Sequence, residues 1–192
     1  MDYLEEYKKI FNNGRFIRHG KKITLNDFPI FDGSGIKLLL DKILLELKDK
    51  KSVTLLDYGC GSSSIWHESI IGQKRQNLFE ILGPKIQSFH RYDPRNEAFS
   101  KKLNSKFDII ICSNVLEFFS KIEISKILKE LQDFSNESTH IFYTINTGPS
   151  KNFFLNGTNM HVTQESADFW INMLKEFNNC KISVAVDKKF LI

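Results

Sequence analysis

The stretch from Lys106 to Ser113, KFDIIICS, is the most apolar run in the chain and ends abruptly in small polar residues. Its length suits a strand rather than a helix. Apolar side chains at successive positions mark a strand buried on both faces, as in a parallel sheet. Weaker runs of the same kind stand at 52–61 (SVTLLDYGCG), 86–93 (IQSFHRYD), 139–146 (THIFYTIN) and 180–186 (CKISVAV). Helical periodicity fills the gaps between them. Over 36–50, Ile36, Leu39, Leu40, Ile43, Leu44 and Leu47 share one face, and Ser34 is placed to cap that helix. Ile124, Ile127, Leu128 and Leu131 do the same over 122–134, as do Phe169, Met173, Leu174 and Phe177 over 165–177. Residues 62–83 read as helical at least from Gln76 to Leu82, with a break near Gly72. Strands alternating with helices predict an α/β fold with a mostly parallel central sheet flanked by helices. Residues 1–35 read as a short helix and an irregular arm, part of one unit with a domain spanning 36–192. Ligands of such sheets bind beyond the carboxyl ends of the strands, so the strand-end loops are where chemistry is sought.

Bulk properties narrow the classes. A chain of 192 residues with 41% hydrophobic content has the length and composition for one domain with a real core. No apolar stretch approaches the eighteen or so residues of a membrane span, and the charged start MDYLEEYKK is unlike a secretory leader. Three widely spaced cysteines, Cys60, Cys112 and Cys180, argue against a disulfide framework or zinc cluster and suit a reducing cytoplasm. His19, His67, His90 and His140 show no metal-ligand spacing, so no metal is expected. The net charge of +4 is spread along the chain in lysine pairs with acids between them. That pattern reads as a solvated surface rather than a nucleic-acid footprint.

The first strand ends in Leu55-Leu56-Asp57-Tyr58-Gly59-Cys60-Gly61. Glycines there permit a sharp turn and let a ligand approach the main chain closely. A dinucleotide fingerprint would place a third glycine where Ser64 stands, and Asp57 would repel a diphosphate. An NAD-linked oxidoreductase is therefore the weaker reading. The segment LLDYGCG resembles the first motif of class I S-adenosylmethionine (SAM)-dependent methyltransferases. Tyr92-Asp93-Pro94 is similar to the family's acidic second motif, and the run from Phe107 to Glu117 is similar to its fourth-strand motif. A stretch through Gly148-Pro149, Asn156-Gly157-Thr158-Asn159-Met160-His161 and Phe169-Trp170 resembles a small bacterial and phage subset, as does Phe31-Asp32-Gly33-Ser34. The resemblance spans most of 31–175 and implies a Rossmann-like fold and SAM as cofactor.

On that resemblance, Asp57, Tyr58, Gly59, Cys60 and Gly61 would surround the methionine part of SAM. Asp93, with Tyr92 and Pro94, would bind the ribose hydroxyls, and Ser113, Asn114 and Val115 would lie beside the transferable methyl. The chain also departs from the family. Thirty-six positions part Asp57 from Asp93, only about a dozen residues part Asp93 from Phe107, and Phe118 replaces a common histidine. The third strand is therefore expected to be short or missing. His161 is the candidate general base, since histidine titrates near neutrality, or else it lines the acceptor pocket. Asn159 is placed either to orient the acceptor or to brace the loop. Ser34, Glu117 and Trp170 are candidate acceptor contacts, with helix capping the alternative for Glu117 and core packing for Trp170. The aromatic arm of Tyr3, Tyr7, Phe11 and Phe16 either closes over the cofactor or packs on the sheet edge. The expected acceptor is a small molecule, sugar-like in character. The alternative is a SAM-binding partner or regulatory module without catalysis.

Overall fold

The computed structural model describes residues 2–26, 30–67 and 76–192. Helix α1 (Tyr3–Asn13) starts at Asp2, whose carboxylate accepts the Glu5 N–H at 3.2 Å. Strands β1 (Arg15–Arg18) and β2 (Lys21–Thr24) follow, turned at His19 and Gly20. Both turn residues have positive φ, 49° and 74°, as a two-residue hairpin requires. A 3-10 turn over Ser34–Leu38 leads into α2 (Leu40–Leu47) and then β3 (Val53–Tyr58). The chain continues through α3 (Leu78–Leu82), β4 (Ile86–Tyr92), β5 (Ile109–Ser113), α4 (Lys121–Asp133) and β6 (His140–Ile145). It finishes with β7 (Asn152–Phe153), α5 (Ala167–Phe177), β8 (Lys181–Val186) and β9 (Lys189–Phe190).

The central sheet has the order β4-β3-β5-β6-β8-β9, parallel except for β9. This is the α/β architecture that the alternating pattern predicts. Side-chain alternation divides the core cleanly. Leu55, Ile109, Ile111, Phe142 and Ala185 face the 3-10 turn, α2 and α3. Leu56, Tyr58, Ile110, Cys112, Tyr143 and Val184 face α4, α5 and α1. Tyr7, Ile10 and Phe16 belong to that second cluster, so the N-terminal segment shares the core of the sheet. Between Asp93 and Asp108 only a 3-10 turn at Glu97–Phe99 intervenes. The missing third strand leaves β4 at the sheet edge, mostly half-buried. Among the described residues no helix is long and apolar enough to cross a membrane.

Several local expectations are corrected. The irregular arm is instead a hairpin that pairs with β7 in a small antiparallel sheet, β2-β1-β7. Its strands are only four residues long and mostly basic, RFIR and KKIT, too short for a clear alternation to mark them. Ser34 does not cap α2: the segment enters as a 3-10 turn from Gly33 at φ 82°, with no side-chain cap. The Ser34 N–H is itself held by the Asp32 carboxylate at 2.9 Å. Ile36, Leu39, Ile43 and Leu47 are buried, but Leu44 is exposed. The expected break at Gly72 lies outside the described residues. The real cap of α4 is Ser120, paired with Glu123 in a capping box, and not Glu117.

Candidate functional site

Strand β4 is added on one side of β3, and the chain then returns to add β5 on the other side. The strand order therefore reverses between β3 and β5, and a crevice opens beyond their carboxyl ends, where α/β sheets bind ligands. Gly59 stands at the tip of β3, and Asn114 and Val115 stand at the tip of β5. Gly59 has φ 69°, and a Cβ there would lie 2.4 Å from Val115 Cγ2. Only glycine lets the two strand ends approach this closely. Gly35 brings the 3-10 turn to the same place, since its Cβ would lie 2.4 Å from Ser113 Oγ and 2.5 Å from Asn114 Nδ2.

The glycine turn spends its amides internally. Gly59 and Cys60 donate to the Tyr92 carbonyl at 2.7 and 3.3 Å, and Ser62 donates to the Phe31 carbonyl at 2.8 Å. Gly61 donates to Asp93 Oδ2 at 2.9 Å. The turn is thus fixed by β4 and by the segment ahead of α2, and of its residues only Gly59 lines the cavities described next.

Two cavities flank Gly59. The larger, about 610 Å³, lies over Tyr58, Tyr92, Pro94 and Val115 and is walled by Phe119, Ile122 and Ile127. Glu130 sits at its floor, accepting the Tyr58 hydroxyl at 2.5 Å and the Tyr92 hydroxyl at 3.2 Å. Burial, with Glu130 adding to it, raises the Tyr58 pKa well above the ordinary tyrosine range. The second cavity, about 370 Å³, is more polar: Ser34, Ser113, Asn114, Asn146, Ser150 and His161 line it. Gly59 and Arg95 line both. Their sizes fall within the ~300–1,000 Å³ usual for small-molecule sites.

His161 donates from Nδ1 to the Gly148 carbonyl at 2.7 Å. A carbonyl only accepts, so Nδ1 carries the proton and Nε2 keeps its lone pair. Burial lowers the His161 pKa, with the Gly148 bond opposing it. The Phe118 ring stands edge-on to the imidazole with centroids 5.0 Å apart and packs His161.

Ser113, Asn114, Val115, Tyr58, Gly59, Tyr92, Pro94, Ser34 and His161 thus border the cavities, while seven other candidates do not. Asp57 points to the opposite face of β3, where it accepts the Trp66 Nε1–H at 2.7 Å. Burial raises its carboxyl to about 7, against that hydrogen bond. Asn159 braces its loop. Its Oδ1 accepts the Ser150 and His161 amides at 3.0 and 2.9 Å, and its Nδ2 donates to the Ser150 carbonyl at 2.8 Å. Glu117 is fully buried, accepts the Asn146 amide and side chain at 3.1 Å each, and is raised to about 7 by burial. Trp170 is fully buried in the core and offers no surface to an acceptor. Asp93 is buried with both oxygens occupied, so its carboxylate is not open to ribose hydroxyls here. Cys60 and Gly61 lie behind the turn and line neither of the two cavities. Burial raises the Cys60 thiol pKa, which keeps the thiol protonated.

Sequence reasoning missed Arg95, Asn146 and Glu130. Only Arg95 left a local signal: an aspartate two residues before it forms an Asx turn, with the Arg95 N–H on Asp93 Oδ1 at 2.9 Å.

A family model described as a methyltransferase domain matches residues 33–178, most of the chain. No curated protein and no solved structure matches it.

Proposed function

The chain belongs to this methyltransferase-domain family, and from that premise we propose that it transfers a methyl group from SAM to a small, sugar-like acceptor. Families of this type generally use SAM, and the site suits such a group. Two cavities, one largely apolar and one more polar, share a glycine whose Cβ would collide with Val115. The apolar cavity, with Pro94, Val115 and Phe119, fits a flat heterocycle. The polar one, with Ser34, Ser113 and Asn114, fits an amino-acid end. When bound, the cofactor supplies an electrophilic methyl on a sulfonium.

The observation that carries the reading is His161. Its imidazole lines the same cavity as Gly59, Ser113 and Asn114, with the proton on Nδ1 and Nε2 unprotonated. A neutral imidazole there takes the proton of an acceptor hydroxyl or amine as the bond to the methyl forms. The hydroxyls and amides of Ser150, Asn152 and Asn146 surround it and suit a hydroxylated acceptor held by several hydrogen bonds. Phe31 from the N-terminal segment and Phe118 close the sides, which favours a small acceptor over a macromolecular one.

Calorimetry with SAM and with S-adenosylhomocysteine tests the cofactor. Mass detection of methylated products across a set of sugars and polyols tests the acceptor. His161→Ala is expected to lower kcat by about 10²-fold or more while leaving the Kd for SAM unchanged. Unchanged turnover in that variant would remove the base. The alternative is binding of SAM without catalysis. It predicts SAM binding with no product from any acceptor.

A further inference from the structure

Arg95 is 3% exposed, yet among the described residues its Nη1 has no hydrogen-bond partner. Two other donors of the guanidinium go to Asp93. Nε donates to Asp93 Oδ1 at 2.7 Å and Nη2 to Oδ2 at 2.5 Å. The backbone amides of Arg95 and Gly61 add a bond to each oxygen at 2.9 Å. A carboxylate offers about four lone-pair positions, and here all four are filled. Asp93 has no capacity left for a ligand's hydroxyl protons, whereas both N–H donors of Arg95 Nη1 are unused.

That edge is held in place. The rings of Tyr7, Phe31 and Phe119 stand 5.3, 5.8 and 5.5 Å from the guanidinium carbon. Ring faces attract the cation but take none of its hydrogen bonds in the plane. Burial works to lower the Arg95 pKa, and the Asp93 carboxylate more than restores it, so the group stays charged. Arg95, like Gly59, lines both cavities, so a ligand that reached from one to the other would pass it. A buried donor without a partner is costly, and an acceptor atom delivered at that junction removes the cost.

We propose that Arg95, through Nη1, is the group that grips the ribose of the cofactor, donating to its vicinal hydroxyl oxygens. Asp93 is then a positioning residue that aims the guanidinium fork. The inference rests on the SAM reading above and changes which residue touches the sugar and in which direction the hydrogen bonds run.

The test is calorimetry with S-adenosylhomocysteine on the full chain. Arg95→Lys keeps the charge and a bond to Asp93 but lacks the Nη1 edge. It is expected to weaken binding by about 10- to 100-fold, as for loss of a charge-assisted hydrogen bond. Arg95→Met strands a buried carboxylate, so Arg95→Met/Asp93→Asn is measured beside it, with thermal melts and circular dichroism showing that each is folded. The double variant is expected to show the same loss. Adenosine against 2′,3′-dideoxyadenosine gives an independent readout: the wild type prefers adenosine, and the preference vanishes without Arg95. Equal or tighter binding in the Arg95 variants would overturn the proposal, because the arginine would then be occupying the sugar's place beside Asp93. A retained preference for adenosine would overturn it too. Failure of the folded wild type to bind S-adenosylhomocysteine at all would instead sink the cofactor reading, and this inference with it.

Discussion

Replacing Asp57 with asparagine should make the fold less sensitive to a rise of pH from acid to neutral. Asp57 sits in β3, 2% exposed, and among the described residues its one side-chain partner is the Trp66 indole N–H at 2.7 Å. Burial raises its carboxyl from 3.8 to about 7. At about 1.4 kcal/mol per pH unit, ionising it inside the fold costs on the order of 4 kcal/mol. The sign follows from proton counts. Below pH 3.8 both folded and unfolded states hold the proton, and the full stability is present. Between 3.8 and about 7 the folded state holds a proton that the unfolded state has lost, so stability falls as pH rises. Above that range the loss is complete. Asparagine keeps an oxygen for Trp66 but brings an amide that needs a partner, so its absolute stability is offset by a constant. Only the pH dependence isolates the charge. Urea unfolding of wild type and Asp57→Asn from pH 5 to 8 should show the gap moving in the variant's favour by roughly 3 kcal/mol. Parallel stability curves would refute the argument, since they would mean that Asp57 is solvated or paired in solution.

Gly61→Ala should destabilise the fold by about 2 kcal/mol or more, because φ is 59° and the new Cβ would meet the Phe31 carbonyl oxygen at 2.0 Å. An unchanged urea midpoint would show that the segment at Phe31 does not rest on the turn. Trp170→Phe removes a buried indole N–H that has no partner, at the cost of a small cavity. The two effects nearly offset, so a change within about 1 kcal/mol is expected. The acceptor KM should stay constant, and a raised KM would return Trp170 to the acceptor site. The kcat of the methyl transfer should fall on the acid side only below the ordinary histidine pKa of 6.5, where His161 gains a proton, because burial lowers its pKa. An acid limb above pH 7 would assign the base to another group.

The fold was legible because its signals are local. Apolar runs at 53–58, 109–113 and 140–145 announce buried strands, and glycines at their ends announce the turns. The site was legible only as far as the backbone carries it: Gly59, Ser113 and Asn114 fall at strand tips, and strand tips border the crevice. What lay beyond reach depends on which face a side chain takes and on what arrives from elsewhere in the chain. Asp57 and Tyr58 are neighbours, yet alternation sends the aspartate to Trp66 and the tyrosine to Glu130. Asp93 has the right place for a sugar-binding carboxylate, and a neighbour two residues away takes up its lone pairs. The cage around that neighbour comes from residues 7, 31 and 119, which no local pattern joins. A motif therefore locates a carboxylate but not its spare hydrogen-bonding capacity, and in this chain the spare capacity has passed from an acceptor to a donor.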